Sequence, residues 1–310
     1  MIQNYVNKLI ENLPDDIKNN KSTLNIDLVL DGGAFNGSYQ IGALCFLKEM
    51  ENRKYIKIKR VSGCSVGSIV ALFYFLNKLD LFEHVYQICY HNLKTNYNLQ
   101  TLKDLKNILK EYMPDDLYTK INNKLYITFY NVTKREKVIK KTYKNNDDII
   151  NTIIKSSFIP IIIDGNLLYK NSFVDGINPY IFKIKPNRKI LYLDLFGLDK
   201  ISNLLNVKNE SNNFHRILSG LLDIHNFYIK QSNTNMCSYV NEWTLTNHVS
   251  YIIKYAIEKI CIYIIYLLIY IKNTIPFSLY NSIQESIIYK LILKIVKELY
   301  ILMIDKYCLH

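Results

Sequence analysis

A serine lies between two glycines in residues 63–67, GCSVG, and this spacing is typical of a chain that presents a nucleophilic hydroxyl. β-Forming residues precede it, and an almost entirely apolar helical segment, SIVALFYFLNKL (68–79), follows it. At a strand–turn–helix elbow the nucleophile lies in strained backbone, and flanking glycines such as Gly63 and Gly67 keep strand and helix from clashing. The pattern predicts that Ser65 is a nucleophile. The dipole of the following helix would stabilise the oxyanion that develops when Ser65 attacks a carbonyl. An ordinary βα turn with the same five letters is the structural alternative.

A second glycine-rich segment, DGGAFNGSYQIG (31–42), follows the strand-like IDLVL (26–30) and opens a helix. Consecutive N–H groups in such a turn can bind an anion. They could form an oxyanion hole for a Ser65 intermediate, bind a nucleotide phosphate, or only complete a turn. The segment lacks the Lys-Ser/Thr of a P-loop and the GxGxxG spacing, which weighs against a nucleotide. Seven of the ten glycines lie in this segment, the serine elbow and an Asp-Gly pair at 175–176, where close backbone approach or positive φ is expected.

A nucleophilic serine needs a group that accepts its proton, and the sequence offers two kinds. A Ser-His-Asp arrangement would use a late histidine; His215, His225 and His248 lie late enough, but none has a glycine or turn context. Asp175 ends an alternating strand pattern and precedes Gly176. It is therefore expected at the C-terminal end of a strand, where the active sites of α/β sheets gather. A turn-forming Asp-Gly pair is the alternative for that position.

Strand-like and helix-like segments alternate along the first 247 residues, which predicts an α/β fold. The expected strands are 26–30, 57–61, 166–176 and 189–197, with a hairpin over 124–143 that turns at 134–136. The expected helices are 38–50, 68–79, a surface helix over 101–113, and 147–157 with Asp147 as its cap.

The character of the chain changes near residue 248. Residues 260–271 are apolar and uncharged, but as a helix they span only about 18 Å, short of a bilayer core of about 30 Å. A longer span over 251–271 includes Lys254, Glu258 and Lys259, which could snorkel to a membrane interface. A transmembrane helix, an interfacial helix and a buried core helix are the three alternatives. A further helix is predicted over 282–304. Its lysine stripe indicates either a helix that lies on anionic lipid or an ordinary amphipathic helix packed on the body: Lys290, Lys294 and Lys297.

The overall charge, Lys+Arg 39 against Asp+Glu 27, gives a net charge of +12. Such an excess favours phospholipid surfaces, nucleic acid or phosphate-bearing substrates, although the amino-acid usage of an AT-rich genome explains it equally well. The apolar share of 49% excludes a disordered chain. Six scattered cysteines predict reduced thiols, and the N-terminus lacks the apolar segment of a signal peptide, so we expect an intracellular protein.

Taken together, three segments resemble the signature of the patatin-like phospholipase family. They are the glycine-rich segment Gly32–Gly37, the elbow Gly63–Gly67, and the downstream pair Asp175-Gly176. SSFIP (156–160), just before the Asp-Gly strand, and the helix that begins with SYQIG (38–42) are also similar to segments of that family. The resemblance covers about residues 24–200.

The resemblance implies a three-layer α/β/α sandwich with a central, mostly parallel sheet. It also implies a Ser-Asp dyad in place of a catalytic histidine. Ser65 would attack an ester carbonyl to form an acyl-enzyme, and Asp175 would accept its proton. The implied oxyanion loop comprises Gly32, Gly33, Ala34, Phe35, Asn36 and Gly37. No metal or other cofactor is implied.

These observations predict a calcium-independent lipid acyl hydrolase that acts on a phospholipid or a related lipid ester at a membrane surface, with peripheral association favoured. No motif supports nucleic-acid binding. The expected organisation is a helical extension over 1–22, a catalytic domain over 23–247 and a helical C-terminal region over 248–310. A Ser-His-Asp hydrolase and an inactive, membrane-associated scaffold on the same fold are the alternatives.

Three positions depart from the family pattern. Ala34 stands where a third glycine is usual, and a positive φ there would cost roughly 1 kcal/mol. Asn36 stands where a basic residue is usual, so a positive charge is missing from that position. Ile177, after the Asp-Gly pair, is bulkier than the usual small residue.

Overall fold

A mixed seven-stranded sheet lies at the centre of the protein. The computed structural model describes residues 2–19, 22–197, 200, 204, 206–207, 210, 212–274 and 287–309. The strands are β1 (Leu24–Leu30), β2 (Ile56–Cys64), β3 (Leu125–Asn131), β4 (Glu136–Lys140), β5 (Phe173–Asp175), β6 (Lys189–Leu193) and β7 (Cys237–Tyr239).

The middle of the sheet is parallel, in the order β3-β2-β1-β6, and its edges are antiparallel, with β4 beside β3 and β7 beside β6. Alternate residues of β1 serve two cores: Leu28 and Leu30 pack in the larger one, and Val29 packs in a smaller aromatic one. Because both faces of the strand are buried, its C-terminal residues Leu28, Val29 and Leu30 are all apolar.

Helices and loops cover the two faces, so the predicted α/β/α sandwich with C-terminal helices is confirmed. The helices are α1 (Ile2–Glu11), α2 (Asp15–Lys18), α3 (Gly37–Asn52), α4 (Val66–Leu76), α5 (Leu81–Asn96), α6 (Leu105–Leu109), α7 (Leu117–Ile121), α8 (Asn146–Ser156), α9 (Phe214–Lys230), α10 (Leu245–Thr274) and α11 (Ile287–Ile304). Helix α4 is central: every residue from Val66 to Tyr74 is buried. This explains why its sequence is apolar nearly all round.

Helices α3 and α9 pack with direct backbone contact. A Cβ atom on Gly42 would lie 1.9 Å from the carbonyl oxygen of Ile217, and one on Gly220 would lie 1.9 Å from that of Tyr39. Glycine at both positions therefore allows the closest approach between the two helices. The start of α3, which follows the glycine-rich segment, is fixed by this contact.

Several predicted elements differ from the observed ones. The surface helix expected over 101–113 is broken: the short α6 is flanked by 3₁₀ turns at Gln100–Asp104 and Lys110–Tyr112. Of the strand expected over 166–176, only β5 forms, because the chain before it turns back on itself with a Tyr169–Phe173 bridge. The cap of α8 is Asn145, whose side chain accepts a hydrogen bond from the N–H of Asp148.

The C-terminal helix α10 begins at Leu245, close to the predicted change of character, and is 30 residues long. Among the described residues, no helix combines the length and the apolar character needed to cross a bilayer. The predicted helix over 282–304 is observed as α11 from residue 287; residues 282–286 and the side chain of Lys290 lie outside the described part.

Candidate active site

Strand β3 brings the two candidate catalytic residues together. Its residue Thr128 pairs with Cys64, the last residue of β2. The next residue, Phe129, pairs with Asp175, the last residue of β5. Strand β5 thus continues along the edge of β3 beyond the point where β2 ends. Because Ser65 directly follows Cys64, Ser65 and Asp175 emerge at neighbouring positions along one strand edge.

The backbone at Ser65 has the strained geometry of an elbow. Ser65 lies between β2 and α4 with φ 50° and ψ −132°, a conformation that costs a non-glycine residue about 1–3 kcal/mol. A Cβ atom on Gly63 would lie 2.5 Å from the carbonyl oxygen of Gly67, and one on Gly67 would lie 2.5 Å from that of Asp31. The two flanking glycines are therefore required where the sequence predicted them.

The SSFIP segment supports both ends of the candidate dyad. The N–H of Ser65 donates to Ser156 Oγ at 2.9 Å and also to the Ser156 carbonyl at 3.1 Å. Ser156 Oγ in turn donates to the carbonyl of Thr128 at 2.6 Å. Two residues later, the carbonyl of Phe158 accepts the N–H of Asp175 at 3.0 Å. These bonds stabilise the strained elbow and hold Asp175 beside it.

The Ser65 hydroxyl lies beside the Asp175 carboxyl, and the two residues are 6% and 9% exposed. Burial is the main cause that raises the pKa of Asp175 to about 7. The nearby Glu258 carboxylate adds to this rise, while the Ser65 hydroxyl and the N–H groups of Ile177 and Gly176 oppose it. A base whose pKa lies near neutral pH both accepts a proton and returns it. The pair can therefore perform general-base chemistry on the Ser65 hydroxyl.

The glycine-rich segment lies directly against the nucleophile, since a Cβ atom on Gly32 would lie 3.1 Å from Ser65 Cβ. Four of its N–H groups are already hydrogen bonded. That of Gly32 donates to Asp31 Oδ1 at 3.0 Å, and those of Phe35, Asn36 and Gly37 donate to the carbonyls of Leu204, Gly33 and Ala34, respectively. Among the hydrogen bonds of the described residues, the N–H groups of Gly33 and Ala34 have no acceptor.

Two apolar cavities meet at Ser65. The larger, of about 450 Å³, contains Ser65, Asp175 and the predicted loop residues Gly32, Gly33 and Ala34 in its wall. The smaller, of about 60 Å³, lies between α4 and α5 and has Phe35, Val85 and Cys89 in its wall, together with Ser65. The predicted residues Asn36 and Gly37 do not face either cavity: the former is fully buried and the latter packs on Val66.

Helix α10 forms one wall of the larger cavity through Ile257, Cys261 and Ile262. The charged residues Lys254, Glu258 and Lys259 of this helix were expected to be able to snorkel to a membrane interface, and for Lys254 and Glu258 this expectation is wrong. Lys254 is 9% exposed and Glu258 is 1% exposed, and both form ion pairs with the body of the protein. A helix that satisfies buried charges on one side is held against the sheet by more than apolar contact.

A positive charge reaches Asn36 from a distant part of the sequence. Arg216 on α9 is fully buried, and its Nη1 donates to Asn36 Oδ1 at 2.8 Å. The Asn36 side chain also donates to the carbonyl of Lys200 at 2.8 Å. The asparagine at this position therefore fixes the start of α3, with the guanidinium of Arg216 beside it.

The two other departures from the family pattern carry backbone strain. Ala34 has φ 44° and Ile177 has φ 53°, both in the left-handed region. For a β-branched residue such as Ile177 this conformation is a genuine outlier. The N–H of Ile177 donates to Asp175 Oδ1 at 2.9 Å, and its carbonyl accepts from Cys64 Sγ at 3.1 Å, so the strained residue connects both halves of the candidate dyad.

The late histidines lie elsewhere. His215 is exposed and lies 3.4 Å from Glu210. His225 packs on Phe46, and His248 packs on Trp243. No contact among the described residues joins these three histidines to Ser65 or Asp175.

Sequence reasoning missed three kinds of functional residue. Ser156 carried a family resemblance but no role, and its small hydroxyl is the only signal that it holds the elbow. Lys254 and Glu258 are four residues apart and so lie on the same face of a mainly apolar helix, and this spacing is the signal that could have found them. Nothing in the local sequence marks Arg216 as a partner of Asn36, because the two residues are 180 positions apart.

Comparison with known proteins agrees with the family resemblance of the sequence motifs. Residues 28–177 match the family model described as patatin-like phospholipase. The human patatin-like phospholipase domain-containing protein 4 is 25% identical over 162 residues, 49% of this chain and 64% of that protein. The probable lipid hydrolase 463L of Invertebrate iridescent virus 6 is 30% identical over 178 residues, 48% of this chain and 58% of that protein.

The mouse omega-hydroxyceramide transacylase is 22% identical over 137 residues, 42% of this chain and 23% of that protein. The chain thus matches between 23% and 64% of the length of these relatives. The matched segment contains the glycine-rich loop, the Ser65 elbow and Asp175, and it ends at Ile177. Residues 28–177 therefore match the patatin-like phospholipase family, as the sequence motifs predict.

Proposed function

We propose that this protein is a lipid acyl hydrolase that uses a Ser65–Asp175 dyad. The observation that carries the proposal is that a strained, buried serine and a buried aspartate lie together in the wall of one apolar cavity. An apolar cavity suits an acyl chain, and the dyad supplies a nucleophile with its own base. The names of the matched relatives, which include a lipid hydrolase and a ceramide transacylase, support a lipid ester as substrate.

In the proposed mechanism, Ser65 Oγ attacks the ester carbonyl carbon while its proton passes to Asp175. The N–H groups of Gly33 and Ala34 bind the oxyanion, because the other N–H groups of the loop have acceptors within the protein. Each such donor contributes roughly 3 kcal/mol to transition-state stabilisation. The tetrahedral intermediate collapses, Asp175 returns its proton to the leaving alcohol, and water hydrolyses the acyl-enzyme through the same base.

A lipid surface is the proposed partner of the outer face of α10. Six apolar residues recur there every three or four positions and are each 39–58% exposed: Ile253, Ile257, Ile260, Ile264, Leu267 and Ile271. Ile257 and Ile264 also line the larger cavity. One stripe therefore runs from the cavity wall onto the surface, and an exposed apolar stripe beside a lipid site is suited to insertion between head groups.

The test is hydrolysis of mixed phospholipid vesicles in the presence of a calcium chelator. Wild type is compared with Ser65→Ala and Asp175→Asn, and released fatty acid is identified by mass spectrometry. Loss of activity in both variants supports the dyad. Activity that survives Asp175→Asn but not Ser65→Ala contradicts the aspartate base. A wild type that neither hydrolyses lipid nor reacts with a fluorophosphonate supports the inactive scaffold instead.

Acyl transfer is a second candidate, favoured by the apolar lining of the larger cavity and by the transacylase among the relatives. Water is scarce in such a cavity, so a lipid alcohol can compete for the acyl-enzyme. Vesicles that also contain a labelled monoacylglycerol would yield labelled diacylglycerol. Free fatty acid as the sole product would exclude transfer to this acceptor.

A further inference from the structure

Helix α10 places two charged side chains, one helical turn apart, on opposite sides of the candidate dyad. Lys254 and Glu258 follow one another at i and i+4 and are almost completely buried. A buried charge is expensive unless it is paired and hydrogen bonded. Their partners therefore show what the two residues hold in place.

Lys254 holds the carboxylate that fixes the glycine-rich loop. Its Nζ donates to Asp31 Oδ2, and it also contacts Tyr192 Oη at 2.7 Å and Asp194 Oδ1 at 3.2 Å. Asp31 is fully buried directly before Gly32. Its Oδ1 accepts the N–H of Gly32 at 3.0 Å, and its Oδ2 accepts the N–H of Leu195 at 3.2 Å. The position of the loop thus depends on an aspartate whose charge is balanced by Lys254.

Glu258 holds the turn that follows Asp175. Asn178 Nδ2 donates to Glu258 Oε2 at 2.6 Å and to the carbonyl of Lys254 at 3.2 Å. The N–H of Asn178 donates to the carbonyl of Gly176 at 2.6 Å, which closes the turn next to the aspartate. Lys137 on β4 balances the Glu258 charge at 2.8 Å. The same helix therefore contacts the oxyanion side and the base side of the site.

We propose that Lys254 and Glu258 are positioning residues that set the oxyanion loop and the Asp175 turn in register across the cavity. Both lie outside residues 28–177, so the site is completed by a helix beyond the segment that matches the family. The kinetic part of this proposal rests on the proposed hydrolase function. The structural part, that Lys254 fixes the loop through Asp31, does not.

The kinetic test compares Lys254→Met, which keeps the apolar stem and removes the charge, with Lys259→Met on the same helix. Lys259 is partly exposed and contacts Tyr255, so it is a matched control. We expect Lys254→Met to lower kcat by about 10- to 100-fold with KM within about twofold, since a small misplacement of the oxyanion donors acts on the transition state. Lys259→Met should change neither constant.

A double-mutant cycle shows whether Lys254 acts through Asp31. In an Asp31→Asn background, Lys254→Met should lower kcat by less than about threefold, because the ion pair through which Lys254 fixes the loop is already lost. Additive losses, or an unchanged kcat in the single variant, would overturn the proposal. Lys254→Arg, which keeps the charge but is larger, should retain more activity than Lys254→Met; the reverse order would indicate that the residue only fills space.

Hydrogen exchange separates this proposal from the proposed function. In Lys254→Met the amide of Gly32 should exchange at least about tenfold faster than in wild type or Lys259→Met, whether or not the protein turns over lipid. If wild type hydrolyses nothing but this difference is found, the hydrolase proposal fails and the positioning role stands. Equal exchange in the three proteins overturns the positioning role. If Lys254→Met does not fold, Glu258→Ala gives the equivalent test at the amide of Asn178.

Discussion

Asp175→Asn should stabilise the protein at alkaline pH while it abolishes the proposed activity. Because burial raises the pKa of Asp175 to about 7, the folded protein holds a proton there that the unfolded chain releases at its ordinary value of 3.8. Folding is therefore opposed by ionisation: the free energy of unfolding falls as pH rises from about 4 to about 7. At 1.36 kcal/mol per pH unit, the loss above pH 7 is about 4 kcal/mol.

An asparagine at this position is neutral at every pH and still offers an oxygen to the N–H of Ile177. At pH 8 we expect Asp175→Asn to have a free energy of unfolding about 4 kcal/mol above that of wild type, and a Tm higher by roughly 6 °C. At pH 4, where the wild-type carboxyl is protonated, the two proteins should be equally stable. Urea unfolding at both pH values, followed by circular dichroism, measures the difference.

Asp148→Asn is the matched control of opposite sign. Although partial burial opposes its ionisation, hydrogen bonds from Lys140 Nζ and the N–H of Lys144 hold the pKa of Asp148 below its ordinary value. Its replacement should lower stability at pH 8 and have less effect at acid pH. A change in Asp175→Asn that is independent of pH, or a loss of stability at pH 8, would refute the assignment of a raised pKa.

Four further predictions follow from local geometry. In wild type, kcat/KM for lipid hydrolysis should fall about tenfold per pH unit below pH 7, because Asp175 becomes protonated. Glu258→Gln should move this acid limb of the pH profile to lower pH, because the Glu258 carboxylate raises the pKa of Asp175. A shift to higher pH would contradict that effect of Glu258. Ala34→Gly should raise the free energy of unfolding by roughly 0.5–1 kcal/mol, because φ is 44°, and should retain activity, as chemical denaturation and vesicle assays would show. Ser156→Ala should lower the free energy of unfolding by about 1–3 kcal/mol and should lower kcat, because the carbonyl of Thr128 and the N–H of Ser65 each lose a hydrogen-bond partner. An unchanged urea midpoint would argue against this role of the Ser156 hydroxyl. Gly220→Ala should lower the free energy of unfolding by more than about 4 kcal/mol, because the new methyl group would meet the backbone of α3. Gly165 has open space but φ 78°, so Gly165→Ala should lower it by only about 1 kcal/mol. Similar Tm values for the two variants would be inconsistent with the α3–α9 contact.

The sequence predicts those strands, turns and helices that are determined by residues close together along the chain. The buried strand β1, the elbow after β2 and the apolar helix α4 each have residues that satisfy their own backbone and packing requirements. The glycines at 63 and 67 were predictable because no other residue fits beside the neighbouring carbonyls. The pairing of Ser65 with Asp175 was reached through family resemblance, since the strand β3 that aligns them has no marker in the sequence of either segment.

Features that depend on distant contacts could not be predicted. The strand expected over 166–176 shortens to three residues because only Phe173–Asp175 meets β3. The local sequence around Lys254 predicts an exposed or interfacial charge, because its partner Asp31 is 223 positions away. The positive φ of Ala34 and Ile177 runs against local preference, and it is stabilised by the surrounding hydrogen bonds.

The ion pair between Asp31 and Lys254 also determines when the candidate site can form during translation. The two residues are 223 positions apart, so at 5–20 residues per second the ribosome needs roughly 10–45 s to add the lysine after the aspartate. During that interval the glycine-rich loop and the Ser65 elbow already exist as chain, but the aspartate before the loop lacks this counter-ion and the larger cavity lacks one wall. The ion pair and the complete cavity wall can therefore form only after α10 has been translated.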